Sequence, residues 1–331
     1  MTAPPQVLVV ETDGSHATQL GGPGEGPGEF AGVESVVPLP GDSLAVWDPE
    51  RRRISVFDAT GPLLREVDLR EVAPLSWIAS PNVTATSART ELWATGRTGF
   101  WLFSVGVMGP GEGAFRPGAP SYRVAGDGSV LAELAFQAGD EAFSSEQFGA
   151  IPNPLGAISQ GAVVGQSLAV SSGSEPELQV FGPEGGLIRL IRWSEAELDL
   201  EPGALPVWES FLEEHLATLP EEEAGFRREA LATIPAREEL PAVGQVVAAS
   251  GGELWVGPYV PGQHVLVRAF MGEVPIPATR WLVFGVDGEL AATVRIPGGF
   301  TVYAVDSDRV WGVYRDDLDV ESVRAYAFSG A

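Results

Sequence analysis

Three kinds of segment recur along this sequence at intervals close to 41 residues. GPGEF at 26–30 returns as GPGEGAF at 109–115, 83 residues on and therefore two intervals of about 41. VFDATGPLLREV (56–67), VFGPEGGLIRLI (180–191) and VFGVDGELAATV (283–294) each lead an apolar pair into a glycine-bearing turn and a second alternating run. That is the pattern of a β-hairpin. Phe57 and Phe181 stand 124 residues apart, three intervals of about 41.

A third landmark is a short apolar strand: SLAVWD (43–48), ELWATG (91–96), SVLAEL (129–134), SLAVSS (167–172), ELWVGP (253–258) and RVWGVY (309–314). A unit of this length cannot bury its own apolar face, so its copies must stack on one another. Six copies of about 40 residues predict an all-β, six-bladed β-propeller of four-stranded antiparallel blades, filling residues 1–331 as one domain. The chain ends one strand short of a blade. The lone run at residues 6–11 is therefore expected to close the ring as the outer strand of the last blade.

The glycines and prolines of GGPGEGPGEF (21–30) then have a structural reading. They turn the chain from one blade to the next, and Phe30 plugs the apolar seam between them. A phosphate loop would need G-x-x-x-x-G-K-[ST] or G-x-G-x-x-G opening a helix, and neither pattern fits.

Within this pattern, GEGPGEF, VVPLPGDSLAVWDPERRRISVFDATG, GELWVGPY and RWLVFGVDGEL resemble the bacterial six-bladed propellers related to the NHL repeat. The resemblance covers most of 20–70 and 240–328 and is weaker between, where 75–150 departs from regular spacing. It implies the fold and no particular activity. Relatives often carry export or lipoprotein signals, which implies an exported protein whose leader has been removed.

Composition narrows the partners. With 45 acidic against 20 basic residues the chain carries a formal charge of −25, a field that repels phosphate backbones and excludes nucleic acid as a natural partner. Without cysteine there is no disulfide, thiolate metal site or cysteine nucleophile. No run of 18 apolar residues offers a transmembrane segment.

In a four-stranded blade with strands a to d, the a–b and c–d turns share one end. The b–c loops and the crossings to the next blade share the other. The first kind are short here, as in 38–42, 125–128, 250–253 and 306–309, and 58–61, 182–186 and 286–288. The long segments 105–121, 193–242 and 258–279 read as crossings or b–c loops, which makes that end the functional face. The longest is a helical insertion at about 196–240 between the fourth and fifth blades, with Pro206 at N1. Val207, Phe211, Leu212, Leu216 and Leu219 form its apolar stripe, and a second helix starts at Pro220.

No cofactor motif is present. His16, His215 and His264 lack HxH or HExxH spacing, and no G-x-S-x-G elbow occurs. Arg97, read at a b–c turn, and Tyr259, His264, Arg268 and Trp281 in or beside the loop of the fifth blade are the binding candidates, because aromatics beside arginine can stack on and hydrogen-bond a ligand. These features predict a non-catalytic binding or scaffold protein for a small molecule, peptide or protein. The alternative is a calcium-dependent hydrolase such as a lactonase, with Asp316, Asp317, Asp319 and Glu321 as weak calcium ligands. Such an enzyme would need amides as well, and the chain has two asparagines, Asn82 and Asn153.

Overall fold

The computed structural model describes residues 5–328 apart from 40, 71–88, 95–98, 106–111, 117, 195–203, 236–239, 262–275 and 317. Among the described residues the chain is mostly β, with two helices, and it divides into two compact units: residues 1–106, 119–137 and 183–186, and residues 107–118, 138–182 and 187–331.

The first unit opens with an antiparallel hairpin of β1 (Val7–Val10) and β2 (Ala17–Leu20), then a short parallel pair, β3 (Gly22–Pro23) and β4 (Glu29–Phe30). A four-stranded meander follows: β5 (Ser35–Leu39), β6 (Ser43–Asp48), β7 (Arg53–Asp58) and β8 (Leu63–Asp68). Its two inner strands are buried on both faces, which is why they read as nearly continuous apolar runs. Ile54, Val56, Ala45 and Trp47 join a core with Val67, Leu69, Tyr122 and Val124; on the other face Val46 and Phe57 pack with Val7, Leu20 and Phe30. A second meander contains β9 (Arg89–Ala94), β10 (Gly99–Val105), β12 (Gly118–Ala125) and β13 (Val130–Ala138), the chain leaving it once to form β11 (Gly113–Phe115).

In the second unit β11 pairs with β14 (Ala142–Ser145), which pairs with β15 (Gly149–Pro152). Two four-stranded meanders follow: β16 (Gln160–Val164), β17 (Ser167–Ser171), β18 (Glu177–Phe181) and β19 (Leu187–Arg192), then β20 (Gln245–Ala248), β21 (Leu254–Gly257), β22 (Thr279–Phe284) and β23 (Leu290–Ile296). The last sheet has three described strands, β24 (Phe300–Val305), β25 (Arg309–Arg315) and β26 (Glu321–Ala327).

The recurring hairpins share more than sequence. In β7–β8, β18–β19 and β22–β23 the register shifts at the same Val-Phe step, and Phe57, Phe181 and Phe284 face Leu63, Leu187 and Leu290. All three phenylalanines are buried. The fourth loop residue is glycine each time, Gly61, Gly185 and Gly288, at φ of 124°, 83° and 86°. Such a backbone excludes most side chains, so one turn geometry explains one sequence signature.

Three expectations need correction. Four sheets have four described strands, but β11–β14–β15 and β24–β26 have three. ELWATG and SVLAEL lie on a first and a last strand, β9 and β13, not on second strands, because β11 leaves the meander and shifts the spacing. For the same reason 106–117 connects β10 to β12 within one sheet, as a b–c segment, and is not a crossing. The N-terminal run, β1, pairs with β2. Its neighbour is six residues away through a turn in which Glu11 N donates to His16 O (3.0 Å) and Gly14 N to Glu11 O (2.8 Å). So short a loop costs little closure entropy.

Between β19 and β20 the chain forms α1 (Ala204–Ala217) and α2 (Glu221–Ala232). α1 starts two residues before Pro206, which is tolerated because the first turn has no intrahelical acceptors for its N–H groups. Pro220 precedes α2, whose first turn holds Glu221, Glu222 and Glu223 against the positive helix end. Trp208, Leu216 and Ala224 form a small core with Phe211, Leu212, Leu219, Leu231 and Leu155, while Phe226 meets Phe148 edge-on at 5.4 Å. The hairpin is packed onto its own unit.

His215 stacks on Phe211 within this cluster, with ring centroids 5.9 Å apart. Burial, and then the neighbouring Arg227, lower its pKa, against a smaller opposing pull from Glu223. A group that binds its proton more weakly when folded destabilises the fold as pH falls through its unfolded value of about 6.5. The stability of the native protein relative to a His215→Gln variant is therefore expected to fall between about pH 7.5 and pH 5.5. Urea unfolding across that range tests it, and a pH-independent difference contradicts the account.

Candidate ligand-binding cleft

The joint at 21–30 is held from the first four-stranded sheet. A Cβ at Gly21 (φ 62°) would collide with the Gly28 carbonyl and the Phe30 ring, so that close approach requires glycine. Phe30 is 1% exposed and meets Phe57 edge-on at 5.8 Å, as a plug for the apolar seam should. Gly26 N donates to the Glu29 carboxylate at 2.7 Å, and Glu29 N returns to Gly26 O at 3.1 Å. Two side chains of the sheet complete the grip. The Arg53 guanidinium donates to the carbonyls of Gly26 and Glu29, and the Glu66 carboxylate accepts from Gly28 N at 2.9 Å. Arg53 and Glu66 also pair with each other at 3.1 Å.

Asp48, fully buried at the end of β6, accepts from Ala31 N (2.8 Å) and Arg51 N (3.1 Å), tying the joint to the β6–β7 turn. In that turn Arg52 N donates to Pro49 O (3.3 Å), and Leu69 N, just past β8, donates to Arg52 O (2.9 Å). Three positive-φ residues in the described structure are not glycine: Asp42, Arg52 and Asp319. Aspartate tolerates that conformation, whereas a long side chain at φ 50° costs about 1 kcal/mol.

Between joint, turn and the exit of β8 opens a cleft of about 530 Å³ lined by Glu25, Glu50, Arg51, Arg52, Arg53, Asp68 and Arg70. Strand order places it at the end of the sheet that carries the b–c turn and the entering and leaving segments. Asp68 holds Arg70 through paired hydrogen bonds, which lower the carboxyl's pKa. Arg51 reaches toward Glu25 at 3.7 Å, a loose pair because Glu25 is 91% exposed. Sequence reading passed over this site. The available signal was PERRR, three arginines in succession in a chain whose 20 basic residues include no lysine.

Two of the residues nominated from sequence, Tyr259 and Trp281, do not line this cleft. Tyr259 is 1% exposed and donates its hydroxyl to Pro154 O at 2.7 Å; Trp281 is 4% exposed, with Nε1 donating to Thr279 Oγ1 at 3.0 Å. Both are held in the interior of the second unit. His264 and Arg268 lie outside the described residues, in the segment joining β21 to β22, the expected b–c loop. Arg97 is also outside them. It follows β9, the first strand of its sheet, so its segment is an a–b connection and not the b–c turn read from sequence.

The acidic loop after β25 is occupied internally. Asp316 Oδ1 accepts from Leu318 N (2.9 Å) and Val320 N (3.0 Å), while Arg315 pairs with Glu321 at 2.6 Å and approaches Asp319 at 3.9 Å. Asp317 is outside the described residues. Asn153 is buried and donates to Glu141 at 2.8 Å while its side-chain oxygen accepts from Leu155 N. Among the described residues no three His, Asp or Glu side chains gather in a way that could hold a metal, and no helix is long and apolar enough to cross a membrane.

No family model matches this chain, and no curated protein matches it in sequence. Solved structures of similar chain path include a DUF4221 member from Bacteroides vulgatus, at TM-score 0.49 and 9% identity over 98% of this chain and 86% of that one. A gluconolactonase from Xanthomonas campestris gives 0.42 and 16% over 94% and 76%, and a calcium-binding protein, regucalcin, from Agrobacterium tumefaciens gives 0.40 and 12% over 95% and 76%. None of these likenesses assigns an activity to this chain.

The joint predicts a contrast between two substitutions. Arg53→Met removes the guanidinium from two carbonyls and leaves Glu66 unpaired, so it should cost about 2–4 kcal/mol in denaturant unfolding. Glu25→Gln, at an exposed position, should change stability by less than about 0.5 kcal/mol. Equal effects would contradict the clamp.

Proposed function

We propose that this chain is a six-bladed propeller related to the NHL-repeat propellers, acting as a non-catalytic binding or scaffold protein. Six sheets of three or four described strands support the count, with a hairpin bulge repeated in three of them. Its ligand, a small molecule, peptide or protein, is taken on the face formed by the b–c loops and inter-sheet crossings. The observation that carries this reading is the arginine-lined cleft at that end of the first sheet, built on a joint fixed by side-chain hydrogen bonds. Preorganised polar groups in a concave site are what a binding module needs.

In the second unit His264 and Arg268, in the segment between β21 and β22, are proposed as further ligand contacts, with Tyr259 and Trp281 on either side of that segment in the chain. An exported location completes the proposal.

The competing hydrolase reading is separated by assay. Purified protein offered aliphatic and aromatic lactones, with and without calcium, magnesium or zinc, is expected to give no turnover above buffer. Saturable, divalent-dependent hydrolysis overturns the binding-only assignment.

A further inference from the structure

We infer that the α1–α2 hairpin is an acid-released cover on the second unit: protonation of His215 detaches it from Leu155 and Phe148 while the sheets of that unit stay folded. The hairpin has a core of its own. Trp208, Leu216 and Ala224 are its buried centre, whereas the two cores of the sheets in this unit, one around Trp193 and Phe284 and one around Trp255 and Trp281, contain no residue of α1 or α2. It meets the rest of the unit through Leu155, which joins the hairpin core, and through Phe148, which touches Phe226 edge-on at 5.4 Å. Phe226 stays 54% exposed, so that second contact is shallow. An element whose core is separate from those of the sheets opens at lower cost than the sheets unfold.

His215 is the weak point of the hairpin core. Trp208, Phe211 and His215 follow one another along one stripe of α1, with ring centroids 6.0 and 5.9 Å apart, as positions three and four residues apart allow. His215 Nε2 is buried there with no hydrogen-bond partner. Protonation makes both ring nitrogens donors and sets a charge among aromatic and aliphatic side chains. Water satisfies those donors once the hairpin opens, so the open form takes the proton more readily.

The surrounding charges act in the same direction. On α2 the groups that act on His215 are Arg227 and Glu223. Arg227 repels an added positive charge, and it holds Glu223 in an ion pair at 2.6 Å, which leaves that carboxylate less to offer an imidazolium. On α1, Glu213 is exposed and faces Arg228 at 3.5 Å, and Glu214 is exposed. Leu155 and Phe148 carry no charge. The carbonyl end of α1 and Glu223 pull the other way, while burial and Arg227 lower the pKa. The closed hairpin therefore binds its proton more weakly than the open one, and opening is favoured as pH falls through the ordinary histidine value of about 6.5.

Hydrogen exchange of the full chain at about pH 7.5 and about pH 5, corrected for the intrinsic rate of each amide, provides the test. Amides of α1 and α2 are expected to lose protection about threefold or more at the lower pH, while those of β17 and β21 keep theirs. His215→Phe keeps a ring against Phe211 and has no proton to take, and His215→Gln keeps a polar atom without a charge. In both, hairpin protection is expected to be equal at the two pH values. A flat profile in the native chain overturns the inference. So does an equal loss in both variants, which would assign the effect to another group, or a loss in β17 and β21 that matches the hairpin, which would make it general acid unfolding.

Discussion

The pairing of Arg53 with Glu66 is the contact on which the first unit's organisation turns. Each side chain belongs to the sheet and each reaches back to the same ten-residue joint, Arg53 to two carbonyls and Glu66 to one N–H. A segment with five glycines has a large conformational entropy to lose, and its apolar contribution is confined to Phe30. Fixed hydrogen-bond partners on a rigid strand pair offset that loss. Arg53 also lines the cleft, so the same pairing links local chain geometry to the shape presented to solvent.

A further consequence concerns charge. Most of the cleft's arginines are engaged by carboxylates or carbonyls, which allows four guanidinium groups to sit together without mutual repulsion dominating. The arrangement orients donors before any ligand arrives. Binding sites gain affinity from such preorganisation, because fewer side-chain rotamers remain to be frozen.

Much of this architecture was legible in the sequence because turn chemistry is local. The Val-Phe bulge and the left-handed glycine of each hairpin depend on residues within about ten positions, so Phe57, Phe181 and Phe284 mark equivalent strands without coordinates. Long-range pairing was harder to read. β11 leaves its meander to pair with β14, and this moved ELWATG and SVLAEL off their expected strands. SVLAEL moved by two strands and kept its end of the sheet. ELWATG moved by one, which reverses the end and carried Arg97 with it. Aromatic character alone misled at Tyr259 and Trp281, since a buried ring with one hydrogen bond has the same sequence signature as an exposed anchor. The cleft was missed because its residues come from three segments, 25, 50–53 and 68–70, joined only by the fold.

Site-resolved hydrogen exchange of the native chain and of Arg53→Met tests the central claim most directly. The account predicts faster exchange at Gly26, Gly28 and Glu29 of the joint in the variant, with the opposite turns at 41–42 and 59–61 unchanged. Unchanged exchange at the joint, or acceleration spread evenly over both ends of the sheet, would contradict it.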